Sequence, residues 1–517
     1  MEAVKLAGLE PASVFAYFEK ICSIPHGSRN TKLISDYLVS FAREQGIRYI
    51  QDDLNNVILF QEGTCGYENH APVILQGHMD MVCEKDEDCP IDMATQGLDV
   101  THDGNVVFAK GTTLGGDDGI AVAYALALLA DKSIPHPPLE VIITVDEEIG
   151  MEGATGVDLS MLKGRTLINI DSEDEGIFTV SCAGGARGTI TLPLSRRAVY
   201  GPCVKLTVEN LQGGHSGVEI HKNRANANKV MGEFLGRIQQ LFPVCITKLQ
   251  GGSKDNAITR SCTVTMVAMG SYIDRINGIA EALQQEIREK YDEPNAIVRA
   301  DDVDALGGNA LSTQDSAKVI ALLNAAPNGV QSWSQDIEGL VQTSLNLGVV
   351  KLEDSFTMTF AVRSSVNQEK RELLAKLKQL AEFNDAQYSE MGDYPAWEYK
   401  KDSNLRDTMV RIYGQMFGKE PEVVAIHAGL ECGILSDKLP GLDCVSMGPQ
   451  MHDIHTSRER LKIASTERTW KFLLEVLKAL YITKMTCFCR SFFSYQPGYP
   501  GQILFGNDPE QNQQARK

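Results

Sequence analysis

The sequence has no uninterrupted apolar run of about 18 residues, which a membrane-spanning helix requires. Its first 20 residues carry acidic groups and lack a basic stretch followed by an apolar one, so they do not resemble a secretory signal. Basic residues are fewer than acidic ones, with 49 lysines and arginines against 68 aspartates and glutamates, so the formal net charge is −19. These absences predict a cytoplasmic protein that binds neither a membrane nor the phosphate backbone of a nucleic acid.

The twelve cysteines include no Cys-x-x-Cys pair, so the sequence does not indicate a zinc–thiolate site. Scattered cysteines of this kind are typical of reduced thiols that are buried as small apolar side chains in a cytosolic protein. The rest of the composition, with 43% hydrophobic and 23% charged residues, is that of an ordinary globular protein. A length of 517 residues allows two or three domains.

An apolar stretch at residues 73–82 contains a histidine and an aspartate two positions apart. If the stretch is a strand, His78 and Asp80 point to the same side of it. Imidazole is a common zinc ligand, and a carboxylate beside it could orient the ring or touch the ion. The same pattern also fits a core strand that ends in a solvated turn.

A glycine-rich segment, 111–119, leads into an alanine- and leucine-rich segment, 120–130, that is predicted to be a buried helix. Glycine permits a sharp turn before the helix, and the helix N-terminus favours negative charge next to it. Asp117 and Asp118 lie at this turn. They fit helix caps, and Asp117 also fits a carboxylate that bridges metal ions.

Two further apolar segments end in acids. Residues 139–148 end in three acids that include Glu147 and Glu148, and residues 166–174 end in acids that include Asp171. Adjacent carboxylates repel one another unless a cation or a proton lies among them, so one of Glu147 and Glu148 could bind metal while the other acts as a general base. A solvated acidic turn is the alternative. Ligands bind at the carboxyl ends of strands in open α/β sheets, so the repeated pattern predicts a site there.

The middle of the chain, 187–398, alternates strand-like segments with amphipathic helices, which predicts an inserted α+β lid. It separates two parts of a catalytic domain, 1–186 and 399–484. Residues 485–517 are predicted to be a poorly ordered tail, and no periodicity supports a helix after Tyr481. The predicted helices are 11–24, 30–45, 120–130, 226–241, 273–290, 316–325 and 368–381, and the predicted strands are 48–49, 56–60, 73–82, 139–148, 166–174, 204–208, 262–269, 355–362 and 442–447.

Five motifs, taken together, resemble in order and spacing those of the co-catalytic zinc peptidases of the aminoacylase and carboxypeptidase type. The likeness is greatest to their aminoacyl-histidine dipeptidase branch, and it extends over roughly residues 5–482. It implies a doubly wound α/β catalytic domain with the lid inserted, and hydrolysis of unblocked dipeptides, Xaa-His included. The five motifs are residues 77–80, 115–119, 146–148, 169–171 and 455–460.

The resemblance also implies two zinc ions, for which cobalt or manganese could substitute. Paired ions can activate water and polarise a carbonyl, which amide hydrolysis requires. Many relatives have proline where this chain has Ser457, so we expect a less rigid loop around His455. The residues implied are Asp117 as the bridge, His78 and Asp171 at one ion, Glu148 and His455 at the other, Glu147 as general base, and Asp80 orienting His78.

Three lid residues, His215, Asn256 and Arg363, resemble residues that contact substrate in that family. Without the resemblance, His215 fits a solvated histidine in a glycine-rich hairpin. Glu431 either anchors a substrate amine or only fixes its own loop. Relatives with a lid of about half this length borrow the histidine from a partner subunit, so a homodimer is one arrangement. The longer lid here predicts instead that His215 serves the metals of its own chain.

Two other functions fit parts of this pattern. The same scaffold could carry an N-acyl amino acid deacylase. A noncatalytic metal- or peptide-binding protein is also conceivable, but it would have no need of a general base. The presence of Glu147 next to the candidate ligand Glu148 therefore favours an enzyme.

Overall fold

The computed structural model describes residues 5–268, 272–304 and 307–492, with side chains described as far as residue 480. Its helices are α1 Ala12–Cys22, α2 Lys32–Gln45, α3 Gly116–Ala130, α4 Glu152–Gly156, α5 Ala227–Gln239, α6 Ile273–Tyr291, α7 Thr313–Ala325, α8 Asn367–Phe383, α9 Asn404–Phe417, α10 Glu431–Lys438 and α11 Ile463–Phe492. A short 3₁₀ turn covers Ile220–Lys222.

The strands, in chain order, are β1 Arg48–Gln51, β2 Val57–Gln61, β3 Val73–His78, β4 Val100–His102, β5 Val106–Ala109, β6 Leu139–Thr144, β7 Thr166–Asn169, β8 Ile177–Cys182, β9 Gly184–Pro193, β10 Arg196–Val199, β11 Cys203–Glu209, β12 Gly214–His215, β13 Cys245–Gly251, β14 Ala257–Ile258, β15 Cys262–Val267, β16 Ile297–Val303, β17 Gly308–Leu311, β18 Gly329–Trp333, β19 Val341–Leu352, β20 Ser355–Ser364, β21 Gln387–Tyr394, β22 Glu422–Ile426, β23 Asp443–Ser446, β24 Met451–His452 and β25 Arg460–Lys462.

The catalytic domain is built on an eight-stranded sheet with the order β1-β2-β6-β3-β7-β23-β8-β22. Its centre is parallel, because β3 pairs in parallel with β6 and β7, and β23 pairs in parallel with β7. The carboxyl ends of β3, β6 and β7 therefore meet at one edge of the sheet. The predicted site residues follow these three ends, as the sequence indicates.

Both faces of this sheet are covered by helices. Alternate strand residues such as Leu75 pack on one face with α1, α3, α9 and α11. Their neighbours, such as Ile74, pack on the other face with α10. Successive side chains on a strand point to opposite faces, so burial on both faces needs continuous apolar strands. The predicted doubly wound α/β domain is confirmed.

The strands beside the site end earlier than predicted. β3 ends at His78 instead of residue 82, β6 at Thr144 instead of residue 148, and β7 at Asn169 instead of residue 174. The acids therefore lie on the turns that follow the strands. Asp80 faces His78 through a turn rather than along a strand, which corrects the geometry expected from the alternation.

The lid contains a nine-stranded antiparallel sheet with the order β16-β11-β15-β13-β19-β20-β9-β21, to which β18 adds beside β19. Its first strand begins at Gly184, slightly before the predicted boundary at 187, and its last ends at Tyr394. Helices α5 to α8 pack against it.

The lid sheet repeats the same strand order in two mirrored halves. One half reads β16-β11-β15-β13 and the other reads β21-β9-β20-β19. Between the described strands of the two halves, β13 and β19 pair at two positions, where Gln250 and Gly251 lie opposite Lys351 and Val350. The lid is thus two similar modules joined into one sheet.

The end of the chain differs from the prediction. Helix α11 continues to Phe492, although the sequence beyond Tyr481 offered no helical periodicity and a tail was expected from residue 485. The rest of the predicted tail, residues 493–517, lies outside the described residues. Among those described, no helix has both the length and the apolar character needed to cross a bilayer.

Candidate metal centre

Asp117 lies between two histidines that come from opposite ends of the chain. Its Oδ1 is 3.1 Å from Nε2 of His78, and its Oδ2 is 3.1 Å from Nε2 of His455. Asp117 precedes the regular part of α3, because its backbone angles are not helical. One carboxylate that faces a separate imidazole with each oxygen has the geometry of a bridging ligand.

Further carboxylates complete a group around each histidine. Oε1 of Glu148 is 2.8 Å from Nε2 of His455, and Oδ1 of Asp171 is 3.6 Å from Nε2 of His78. The side chains of His455, Asp117 and Glu148 could hold one ion. Separate groups join His78 with Asp118 and Asp171, and His78 with Glu147 and Glu148.

His455 is placed by a short hairpin. β24 and β25 pair antiparallel, with Met451 opposite Leu461, and the loop between them carries the histidine. This loop is tied down at Ser457, whose hydroxyl donates to Asp86 at 2.5 Å. The expectation of a less rigid loop, based on serine in place of proline, stays a prediction, and this hydrogen bond acts against it.

Asp80 supports the ring of His78. Nδ1 of His78 lies 2.9 Å from the backbone oxygen of Asp80 and 3.4 Å from its Oδ1. The Asp80 carboxylate also accepts hydrogen bonds from the hydroxyl of Ser28 at 2.8 Å and from the backbone N–H of Glu147 at 3.1 Å. Asp80 thus links the turn that follows β3 to the turn that follows β6.

The centre contains more acidic side chains than its two imidazoles can neutralise. Burial opposes the protonated form of His78, but contacts with Asp117 and other acids outweigh it and raise its pKa well above the ordinary value. Contacts with Asp117 and Glu148 raise the pKa of His455 to about 10. Burial would raise the pKa of Asp117, but the two imidazoles hold it below its usual range.

Other acids at the centre are shifted in the opposite direction. Burial is the main cause that raises the pKa of Glu147 to about 9. It likewise raises the pKa values of Asp171 and Glu173 to about 7. Divalent cations among these side chains would stabilise the ionised carboxylates, so the acids would not have to be protonated. The donor set, imidazole and carboxylate without thiolate, suits zinc, cobalt or manganese.

Asp118 is more deeply placed than the sequence suggested. Its side chain is fully buried, its Oδ2 accepts the backbone N–H of His78 at 3.1 Å, and its Oδ1 has no hydrogen-bond partner among the described residues. A Cβ at position 77 would lie 2.4 Å from this carboxylate, so Gly77 is required there. An orphaned buried oxygen next to His78 and Asp171 fits a metal-binding environment.

Glu431 lies in the interior of the catalytic domain. It is fully buried beneath the centre, where its Oε2 accepts hydrogen bonds from Gln76 and Thr144, both at 2.6 Å. Gln76 in turn accepts a hydrogen bond from Asn169 at 2.6 Å. These contacts tie together β3, β6 and β7 and fit the alternative in which Glu431 only fixes its loop. Its Oε1 has no hydrogen-bond partner among the described residues, so the substrate-binding role stays a prediction.

The lid brings His215 and Arg363 near each other. Nδ1 of His215 accepts the backbone N–H groups of Gly217 and Val218, which leaves its Nε2 free of them. Burial, and then the guanidinium of Arg363, lower the pKa of His215. Arg363 donates through Nη1 to the hydroxyl of Tyr394 at 3.1 Å, while its buried Nε has no partner among the described residues.

The remaining lid residue, Asn256, is exposed, and its backbone oxygen accepts the N–H of Ser216 beside His215. Among the described hydrogen bonds and ion pairs, none joins His215, Asn256 or Arg363 to the metal centre. The structure therefore groups the lid residues with one another but does not connect them to the centre.

One lid contact reaches the catalytic domain at His427, which the sequence analysis did not assign. Its Nε2 lies 2.8 Å from the hydroxyl of Ser344 on β19. Burial is the main cause that lowers the pKa of His427 to about 3, so the ring is neutral. No local sequence signal pairs these two residues.

The profile of peptidase family M20/M25/M40 matches residues 74–479 of this chain. The chain belongs to this peptidase family. It is 38% identical over 483 residues to the cytosol non-specific dipeptidase of Escherichia coli K12, an alignment that covers 92% of this chain and 99% of the relative. The aminoacylhistidine dipeptidase of Vibrio alginolyticus, also 38% identical, superposes with a TM-score of 0.87 over 92% of this chain and 98% of that one.

More distant structures share only the fold. The aminopeptidase PepT from Bacillus cereus is 14% identical and superposes with a TM-score of 0.53 over 91% of this chain and 98% of its own. The family profile and the two dipeptidases confirm the predicted resemblance and the prediction of a metallopeptidase.

Proposed function

We propose that this peptidase is a cytosolic, metal-dependent dipeptidase that hydrolyses unblocked dipeptides, Xaa-His included. The observation that carries the proposal is the position of Asp117 between His78 and His455, with Glu147 beside them. The printed names of the relatives from Escherichia coli and Vibrio alginolyticus support the dipeptidase activity, and the first of these names supports the location.

Two zinc ions are the proposed cofactors, and they would supply a Lewis acid to the scissile carbonyl and to water. His78, Asp117 and Asp171 would hold one ion, and Asp117, Glu148 and His455 would hold the other. Asp80 keeps the His78 ring oriented, because it contacts Nδ1 and leaves Nε2 directed at the centre.

Glu147 is the proposed general base. It would take a proton from the attacking water and return it to the leaving amine. Its backbone N–H is fixed by Asp80, whereas no described hydrogen bond occupies its carboxylate. A carboxylate that is free of other hydrogen bonds can accept the proton from water and release it again to the amine.

The lid supplies the proposed contacts to substrate. Arg363 carries an unoccupied Nε donor, and guanidinium binds a carboxylate through two parallel hydrogen bonds. Recognition of the substrate's free carboxylate would limit its length. Asn256 lies on the loop beside His215, and Nε2 of His215 would donate to the oxygen of the scissile carbonyl as charge develops there.

We expect Arg363→Lys to raise KM for a dipeptide by about tenfold or more. A charge-assisted hydrogen bond contributes about 1.5–3 kcal/mol, and a lysine cannot replace the planar fork. Metal content should stay at the parental level. Steady-state kinetics and metal analysis measure the two quantities.

Two comparisons make this result specific. Arg299→Lys changes a lid arginine that pairs with Glu209 and Asp301 in the other half of the sheet, and it should leave KM unchanged. Tyr394→Phe removes the hydroxyl that accepts a hydrogen bond from Arg363. It therefore distinguishes the effect of losing that contact from the effect of losing the guanidinium group. Equal cleavage of a dipeptide and its C-terminal amide by the parent would contradict the role of Arg363.

We expect His215 to act on the metal centre of its own chain after the lid closes. It lies in the half of the lid that contains β11 and β13, and the two mirrored halves resemble two subunits joined in one chain. A hybrid that contains one His215→Ala chain and one Glu147→Gln chain should therefore have no more activity than either variant alone.

The hybrid is best made by co-expression with two different tags and purification through both. Each homogeneous variant, purified in the same way, provides the control. If His215 were donated across a dimer, one of the two sites in each hybrid would be complete, so a substantial recovery of turnover would contradict action within one chain.

A panel of substrates tests the proposed function itself. Xaa-His and other unblocked dipeptides, a tripeptide and N-acetyl amino acids are offered to the metal-loaded protein, and its zinc content is measured. Hydrolysis of the dipeptides alone supports the proposal. Preferential hydrolysis of the N-acetyl amino acids would identify a deacylase on the same scaffold, and hydrolysis of none of them would overturn both.

A further inference from the structure

Glu459 is a buried carboxylate that lies outside the candidate metal-binding groups found among the described residues. Its side chain is 2% exposed. It follows His455 on the same loop and immediately precedes β25. A charged side chain that is removed from water at this position requires compensating donors.

The donors are consecutive backbone N–H groups of the loop that leads to Asp117. Oε2 of Glu459 accepts from Leu114 at 2.7 Å and from Gly115 at 3.1 Å. Oε1 accepts from Gly116 at 2.7 Å and from Asp117 itself at 3.4 Å. Successive N–H groups that converge in this way form an anion-binding concavity, and here the occupant is the chain's own carboxylate.

The glycines in this loop allow the close approach. Gly115 has a φ of +67°, which favours glycine. A Cβ at position 116 would lie 3.1 Å from Oε1 of Glu459 and 3.0 Å from the sulfur of Met451. The glycine-rich sequence thus serves the fit of Glu459 as well as the turn before α3.

We propose that Glu459 is a positioning residue that sets the bridging Asp117 and the histidine His455 at the distance metal binding requires. Glu459 connects two loops that both contribute to the centre. Its own loop carries His455, and the loop whose N–H groups it accepts carries Asp117. These loops are more than 300 positions apart in the chain, and the hydrogen bonds from the backbone of one loop to the Glu459 carboxylate link them directly. The inference rests on the metal centre of the proposed function.

Glu459→Gln tests this role with little change in shape. The amide nitrogen must replace one of the two oxygens, and each oxygen accepts two N–H groups, so two of the four hydrogen bonds are lost whichever way the amide turns. We expect the affinity of the apo-protein for zinc to fall by about 10- to 100-fold, the range typical for loss of a group that orients metal ligands. Competition with a chelator measures it.

Glu140→Gln is the matched control. Glu140 is another buried carboxylate in the same domain, and it accepts the backbone N–H groups of Lys163 and Gly164, each at 2.9 Å. It lies near the start of β6, away from the end that leads to Glu147. This variant should lose unfolding stability, measured by denaturant titration of the apo-protein, while its zinc affinity stays parental.

Gly116→Ala disturbs the same contact from the opposite side and keeps the test decisive if Glu459→Gln fails to fold. The added methyl group would crowd Oε1 of Glu459, so zinc affinity should fall in this variant too. Zinc affinity within about twofold of the parent in the folded variants, with only stability lowered, would overturn the positioning role, since an orienting group contributes about tenfold or more. A parent that binds no zinc would instead overturn the proposed metal centre, and zinc binding without peptide hydrolysis would overturn only the proposed activity.

Discussion

Replacing Glu147 with glutamine is expected to leave the peptidase folded and metal-loaded and to lower kcat by about 100- to 10,000-fold. This is the range that a positioned proton acceptor contributes, and an amide cannot accept the proton. The isosteric change keeps the backbone contact to Asp80, because that contact uses the N–H of residue 147. Steady-state kinetics at saturating dipeptide and analysis of bound zinc measure the two effects.

Glu152→Gln is the control for this experiment. Glu152 is an exposed acid at the start of α4, only a few residues along the same segment, and its loss should leave kcat unchanged. The side chain of Glu147 also lies in one candidate group with His78 and Glu148. Loss of zinc together with activity in Glu147→Gln would therefore show that Glu147 is a ligand and not the base.

Asp117→Asn is expected to reduce the occupancy of both ions. The substituted side chain would present one oxygen and one N–H₂ group, so it could bind a metal on one side only and would place a donor against the imidazole on the other side. Because Asp117 faces His78 and His455 with separate oxygens, the loss affects both halves of the centre. Zinc affinity should fall by more than the roughly 10- to 100-fold typical of an outer contact to a ligand, and turnover should fall with it.

Asp131→Asn provides the comparison, since Asp131 follows the other end of α3 and bonds only locally, to Ser133. It should keep parental zinc content and turnover. Two tightly bound ions in Asp117→Asn would rule out the bridging assignment. Loss of one ion while the other keeps its parental affinity would assign Asp117 to one side of the centre.

Local sequence pattern predicts the positions of two lid helices well, but it predicts the ends of the catalytic strands poorly. Helices α5 and α6 lie close to the predicted ranges 226–241 and 273–290, because each carries an apolar face with helical periodicity. The apolar strands of the catalytic sheet were found for a similar reason, but their ends were placed too late. The acidic residues that follow a strand give no local signal of the position at which the hydrogen bonding between strands ends.

The site residues divide in the same way. His78, Asp117 and Glu148 each lie at or next to the end of an element whose apolar pattern is visible, so a candidate site could be predicted at the strand ends. The contacts of Glu459 and Glu431 could not be found like this. Their partners are backbone amides or uncharged side chains more than 200 positions away, and no spacing in the sequence encodes such a contact.

By itself, the sequence determined the order of the buried strands and helices and the run of acids and histidines at their ends, because apolar periodicity and turn chemistry are local. Tertiary structure alone decided that His78 and His455 face opposite oxygens of Asp117, that Glu431 is buried beneath the centre, and that Glu459 binds the loop before Asp117. The physical reason is that a metal centre and a buried charge depend on distances of a few ångströms between segments hundreds of residues apart. Those distances are set by how the sheet, its covering helices and the hairpin of His455 pack together.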